Sequence, residues 1–345
     1  MSSCNLDRGE VDPTHSELVI PASSFDAGLR DYLYAASRTK VHSVFKSTIN
    51  LVNNDMVTGI HCKDEYFPGC IRLGIEEFRL LKECCWTLQP GDMVWIENGL
   101  IKFCSFPVEV DITEAKQISL PEMDLNLQGV NNSRLLENLL ALASYANSPC
   151  VVKWTQKGVS NFISETQFAV LQLLKELCHL YISGIIFRFD YPEAPFTSVG
   201  KEYINELVVG CQKYNEEALL SSAKRLIGFG QGLTPAGDDI LTGFMAVLSM
   251  FPQEWISPEF FDRVLTAAIL KTNNIAYTYM KLASRKNISA ILQNVINAAC
   301  TADFKLMLRS LFRLTDWGGS SGRDTAFGAV LGLLVVSRIS HIGLI

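Results

Sequence analysis

The chain has 345 residues, 48% of them apolar and 19% charged, which is too hydrophobic for a disordered segment and ample for a large core. Its length sets two domains as the starting expectation. The formal net charge of −6, with Lys and Arg scattered and never in a run, excludes the electrostatic footprint of a nucleic-acid binder. Residues 1–20 read as a loose or edge-paired leader, and its polar start, MSSCNLDRGEVDPTHSE, has no hydrophobic signal core. FDAGLRDYLYAAS (25–37) reads as a short helix. From Thr39 to about Val110 the pattern is β: HSVFKSTINLVN, MVTGIHC, CIRLGI, DMVWIEN and LIKFCSF are rich in β-branched and aromatic residues. Glu97-Asn98-Gly99 signals a type I′ hairpin, and Pro68-Gly69 and Pro90-Gly91 mark further turns. EEFRLLKECCWTL between them reads as a short helix.

From about Ser133 the hydrophobic period becomes helical. SRLLENLLALASYA places Ser133 as a cap and Glu137 in the first turn. SETQFAVLQLLKELCHLYISG has a capping box at Ser164 to Gln167 and a stop at Gly184. KEYINELVVGCQKYNEEALLSSAKRLIG reads as helical up to a glycine-rich loop, and PEFFDRVLTAAILKTNN, DFKLMLRSLFRLTD and the last apolar stretch complete the helical set. That last stretch, interrupted by Arg338 and His341, is too short and polar to span a membrane. The fold class is therefore α+β: a mostly antiparallel, barrel-like β domain over 1–125, then a larger α-helical domain over 126–345, with 111–132 as the linker. The ten cysteines include no CxxC and no Cys/His set at zinc spacing, so free thiols of a cytoplasmic protein are expected, Cys84-Cys85 being a vicinal pair in the core.

The chemistry concentrates in GFGQGLTPAGDDILTG (228–243). Gly228, Gly230, Gly232 and Gly237 fall close together, Pro235 stiffens the middle, and Asp238-Asp239 opens an apolar helix. Free N–H groups at a helix start suit an anion, whereas the two aspartates suit a cap or a cation, Mg²⁺ with phosphate being the combination that uses both. The loop is neither a P-loop, which ends in Gly-Lys-Ser/Thr, nor a dinucleotide fingerprint, which follows a strand. A second copy follows in GGSSGRDTAFGAVLGLL (318–334). Gly237-x-Asp239-x-x-x-Gly243 matches Gly322-x-Asp324-x-x-x-Gly328, with Thr234 against Ser320 and Ser321 among the preceding hydroxyl residues. The functional expectation is that both loops face one polar site; the plain structural one is a repeated device for close helix packing through glycine. Arg323 suits a phosphate or carboxylate through a two-pronged contact, or a salt bridge to Asp324. Thr272 and Asn273, at a helix junction, line a pocket or simply cap. Asp238 and Asp239 hold a metal or cap. His42 reads as structural; His15, His61, His179 and His341 have no partner spacing, and no Ser-His-Asp or Cys-His arrangement is legible.

GLTPAGDDILTG followed by GGSSGRDTAFG resembles the bacterial DUF2877 family, which includes the AllH subunit of oxamate carbamoyltransferase. HSVFKSTINL (42–51) is similar to the family's N-terminal strand, and Thr272 with Asn273 to a family position with paired threonines. Ala236 departs from the pattern, standing where Ser is common. The resemblance implies a carbamoyltransferase subunit acting beside an FdrA-like and a DUF1116-type subunit, moving a carbamoyl group between carbamoyl phosphate and oxamate or a related amide, with a carbamate kinase downstream. It implies Arg323, Asp239 and Asp324 as catalytic groups, with Gly230, Gly232, Thr234, Gly237, Thr272, Asn273, Ser320, Ser321 and Gly322 around the substrate and phosphate. Two other readings compete: a non-catalytic scaffold or ligand-binding subunit, and an Mg²⁺-dependent hydrolase resembling the ADP-ribosylglycohydrolases. Association of the chain with itself stays open.

Overall fold

A computed structural model describes residues 18–120, 132–145, 174, 177–178, 198–301, 304–317 and 320–337. The chain divides into two compact units, Met1–Pro121 and Glu122–Ile345. In the first, a 10-stranded sheet runs in the order β1-β9-β8-β7-β3-β4-β5-β6-β2-β10. Its strands are β1 (Leu18–Pro21), β2 (Ser24–Asp26), β3 (Ser37–Val44), β4 (Thr48–Asn53), β5 (Met56–His61), β6 (Cys70–Arg72), β7 (Met93–Glu97), β8 (Leu100–Phe103), β9 (Val108–Asp111) and β10 (Lys116–Ile118). The sheet curls into a half-barrel and is antiparallel except at β1/β9, β5/β6 and β2/β10. One face is the core: Ile49, Leu51, Ile60, Ile71, Val94, Ile96, Ile101 and Val110 are fully buried on it. Asn98 and Gly99 both take positive φ (51° and 81°), as the type I′ turn between β7 and β8 requires.

Local sequence misses two features of this unit. Phe25 and Asp26 belong to strand β2, so the helix expected over 25–37 shrinks to a 3₁₀ turn and α1 (Arg30–Tyr34). Long-range pairing of β2 with β6 and β10 outweighs helix propensity there. HSVFKSTINLVN is two strands of a hairpin rather than one. Among the described residues, the leader pairs at the sheet edge over Leu18–Pro21, alongside β9. α2 (Ile75–Cys84) takes the place expected for EEFRLLKECCWTL.

The second unit holds α3 (Asn132–Tyr145), α4 (Ser198–Gln212), α5 (Glu216–Leu226), α6 (Ala236–Met250), α7 (Phe260–Lys271), α8 (Asn274–Ser284), α9 (Ala290–Thr301), α10 (Phe304–Thr315) and α11 (Ser321–Ser337) among the described residues. α3 starts before Ser133, which is therefore inside the helix, and Glu137 lies past its first turn. The single helix expected over 201–228 is broken in two. Tyr214 takes a left-handed φ of 51°, and the Asn215 side chain caps α5 by accepting from the Ala218 amide at 3.0 Å. α9 went unread although Gln293, Asn294, Asn297 and Thr301 form one polar face at helical spacing, a stripe that is uncharged. Of the helix expected over 164–184, Leu174, Leu177 and Cys178 are described, helical and buried; the rest of it, with His179, and the ends holding His15 and His341 lie outside the described residues.

α6 and α11 are the central pair, and glycine lets them cross closely. A Cβ on Gly243 would overlap the Thr325 carbonyl, and one on Gly328 would overlap the Ile240 carbonyl. Ile240 lies three residues before Gly243, as Thr325 does before Gly328, so the contact is reciprocal, as in a local two-fold arrangement. The plain packing expectation for these glycines therefore holds. Gly243→Ala tests it. In an unobstructed helix that change stabilises by about 0.5–1 kcal/mol; here the methyl meets backbone that cannot move aside, so a net loss of about 1–3 kcal/mol is expected, read as a lowered urea midpoint.

Candidate functional site

Both Gly/Asp segments are the same turn built twice. At the end of α5 the Leu226 carbonyl accepts from the Phe229 amide (2.9 Å), and the Phe229 carbonyl accepts from Gly237 (2.8 Å). At the end of α10 the Leu314 carbonyl accepts from Trp317 (3.1 Å), and the Trp317 carbonyl accepts from Gly322 (3.0 Å). Pro235 and Ser320 then occupy equivalent places, each carbonyl accepting two amides of the following first turn: Asp238 and Asp239 in one copy, Arg323 and Asp324 in the other. A Cβ on Gly237 would strike the Leu226 carbonyl, and one on Gly322 the Leu314 carbonyl. These two glycines thus shape the corners, and their N–H groups are already engaged. The first loop is the longer one. Its tip at 230–233 is exposed, with Gly230 and Gly232 at φ of 115° and 111°, where an L side chain is strained.

Because α6 and α11 cross near their starts, the corners meet. The Thr234 and Ser321 hydroxyls are 2.6 Å apart, and both stand beside the Asp239 carboxyl. Ser321 is the counterpart of Ala236, so the hydroxyl missing from the first copy is present in the second. Asp239 is buried, and burial pushes its pKa up to about 8; the two hydroxyls oppose the rise, and the charges of Asp324 and Asp238 add to it. Asp324 is only 1% exposed, and burial raises it to about 7 against the pull of Arg323 and then Ser320. Neither neighbour reaches hydrogen-bond geometry: both Asp324 oxygens, Asp239 Oδ2 and Arg323 Nε are buried without hydrogen-bond partners among the described residues, Arg323 Nε standing 4.0 Å from Asp324 Oδ1. Native structures rarely leave such groups unpaired.

Asp238 differs from its neighbour. Its Oδ1 accepts from the Gly228 amide at 2.9 Å and its Oδ2 from the Thr272 hydroxyl. Burial raises its pKa to about 6, with those two bonds opposing. Asn273 accepts from the Ile275 and Ala276 amides (3.0 and 3.1 Å), capping α8, and donates to the Leu233 carbonyl at 2.8 Å. Thr272 and Asn273 therefore clamp the first loop. The structure brings Thr234, Ser320, Ser321, Asp239, Arg323 and Asp324 together. It sets Gly237 and Gly322 behind them and leaves Gly230 and Gly232 on the exposed rim. Gly318 and Gly319 lie outside the described residues. No group of three His, Cys, Asp or Glu side chains able to hold a metal occurs among the described residues. Sequence reading missed the Gly228 amide and the Leu233 carbonyl as fasteners, because backbone groups carry no residue signature.

A family model described as oxamate carbamoyltransferase subunit AllH matches residues 226–333, and one described as the AllH family N-terminal domain matches residues 21–117. The first spans both corners and the helices between them. Comparison with curated proteins and with solved structures gave no match.

The raised carboxyls set the sign of a pH effect. Folded Asp239 and Asp324 keep protons that an unfolded carboxyl releases near pH 4. Folding therefore takes up protons between about pH 4 and 8, and stability falls as pH rises through that window, by at most about 1.4 kcal/mol per pH unit for each group. Urea midpoints measured from pH 5 to 8 should fall for the unaltered chain and fall less steeply for Asp239→Asn.

Proposed function

The chain belongs to the AllH family, and from that premise we propose that it is a subunit of an oxamate carbamoyltransferase whose paired corners contribute to carbamoyl transfer. The observation that carries this is the convergence of buried, unspent groups at the α6/α11 start: Asp239 Oδ2, both Asp324 oxygens and Arg323 Nε. Groups left unpaired in a buried place are poised for a ligand that supplies their partners.

In the reading we favour, the amide nitrogen of oxamate attacks the carbamoyl carbon of carbamoyl phosphate. The new C–N bond forms, the C–O bond to phosphorus breaks, and inorganic phosphate leaves. The nitrogen gives up one proton, taken by whichever of Asp239 and Asp324 is ionised, and the reverse direction returns it. Carboxyls raised to about 8 and about 7 hold and release protons near neutrality, where acid–base catalysis works best. The Arg323 guanidinium meets the phosphate charge as it develops on the leaving oxygen. Thr234 and Ser321 fix the Asp239 carboxylate, and Ser320 stands beside Asp324. Gly230 and Gly232 form the rim over which substrate enters. Asp238, its oxygens committed to Gly228 and Thr272, is read as a brace. Of the pair Asp238–Asp239, Asp239 is therefore the one that keeps a free oxygen, Oδ2. The complex would be completed by FdrA-like and DUF1116-type subunits in the cytoplasm.

The test is carbamoyl transfer by the assembled complex. Arg323→Met should raise KM for carbamoyl phosphate and lower kcat/KM, and Asp239→Asn should lower kcat by about 10²–10⁴. Unchanged kinetics in both variants, in a complex that assembles normally, would mean that this chain serves as a scaffold.

A further inference from the structure

The half-barrel unit contains a second polar hollow. β5 and β6 run parallel but are joined only by residues 62–69. A parallel connection usually needs a dozen or more residues and carries a helix. This one is too short, and it folds flat over the sheet face instead. Tyr66 donates to Asp26 Oδ1 at 2.9 Å, the Gly69 amide donates to Asp26 Oδ2 at 2.6 Å, and Phe67 meets the His61 ring edge-on with centroids 5.5 Å apart. Strand register puts His61 beside Arg72 and Arg72 beside Ser24 on that roofed face, while Ile60, Ile71 and Phe25 point to the core on the other. Between roof and sheet lies a cavity of about 120 Å³, lined by Ser24, Asp26, His61, Tyr66 and Arg72 among others.

Two donors in it are unspent. His61 Nδ1 accepts from the Lys63 amide at 3.1 Å, so the neutral ring carries its hydrogen on Nε2, for which no partner is found among the described residues. The ring is neutral because burial lowers its pKa to about 4, helped by the charges of Arg72 and Lys63. His61 is 4% exposed. Arg72 Nε, from the adjoining strand, is buried and unpartnered, while its Nη2 pairs with the exposed Asp64. Asp26 accepts from the Gly28 amide, the Tyr66 hydroxyl and the Gly69 amide.

We propose that this roofed hollow is a binding site for a small monocarboxylate, its carboxylate seated on the paired N–H groups of His61 Nε2 and Arg72 Nε. Two N–H donors on adjoining strands can each meet one oxygen of a carboxylate. At about 10–15 Å³ of cavity space per water-sized group, the hollow admits a molecule of about ten non-hydrogen atoms or fewer. The guanidinium shares the lining with the carboxylates of Asp26, Asp64 and Glu65, so each negative charge on a guest weakens binding and a phosphate dianion is disfavoured more strongly than a monoanion.

The full-length chain, labelled with ¹⁵N at histidine, is titrated with acetate, oxamate and inorganic phosphate while the His61 ring nitrogens are followed by NMR, His42 serving as the reference. Saturable shifts at His61 with the two carboxylates and not with phosphate are expected. Arg72→Met should weaken that binding at least about tenfold, and Asp324→Asn, in the other unit, should leave it unchanged. A flat titration overturns the proposal, the hollow then holding water. So do phosphate binding as tight as carboxylate binding, and binding lost with Asp324→Asn but kept with Arg72→Met. If Arg72→Met does not fold, the titration of the unaltered chain decides alone. None of these outcomes bears on carbamoyl transfer at the helical corners.

Discussion

Contact of glycine Cα with a facing carbonyl, made once in each direction where α6 crosses α11, governs the geometry of the helical unit. Ridges of larger side chains hold helix axes about 8–10 Å apart. Removing the Cβ at Gly243 and Gly328 lets backbone meet backbone, so the two first turns are pressed together. Asp239 and Asp324 ride on those turns and are buried as a direct result. A helix N-terminus favours a negative charge by about 0.3–1 kcal/mol at an exposed position. Desolvation of a nearly inaccessible carboxylate opposes that and is larger, which is why both acids are displaced upward rather than downward.

The two corners share a backbone pattern but have diverged in chemistry. Where the first copy has Asp238, the second has Arg323. Asp238 is turned back into its own loop by Gly228 and Thr272, and Asn273 ties Leu233 to the start of α8. The first corner is therefore the braced one. The second contributes the cation and the hydroxyls of Ser320 and Ser321. An inexact two-fold arrangement yields a corner pair with distinct ends.

Much of this was legible beforehand, for identifiable reasons. The change from period two to helical spacing near residue 130 separated sheet from helices. Asn98-Gly99 forced a particular hairpin, and two widely spaced GxDxxxG segments predicted corners that do meet. What escaped depends on partners distant in sequence. β2 is a strand because β6 and β10 flank it; read alone, FDAGLRDYLYAAS favours helix. The break at Tyr214 rests on one left-handed residue and an Asn cap. The committed state of Asp238 depends on a main-chain amide and on Thr272 from another helix. No residue pattern announced the hollow under 62–69, because a lone histidine on a strand looks the same whether its second nitrogen is satisfied or not.

The helical unit also separates what is fixed from what can vary. Beneath, main chain abuts main chain, and that spacing cannot drift by even a methyl group. Above, Gly230 to Leu233 project into solvent, held at one end by Asn273. For the site as proposed, such a build divides two demands that conflict in most pockets: holding reacting groups still and admitting guests of different outline. Under that proposal, changes of guest can be written into the rim while the floor stays as it is.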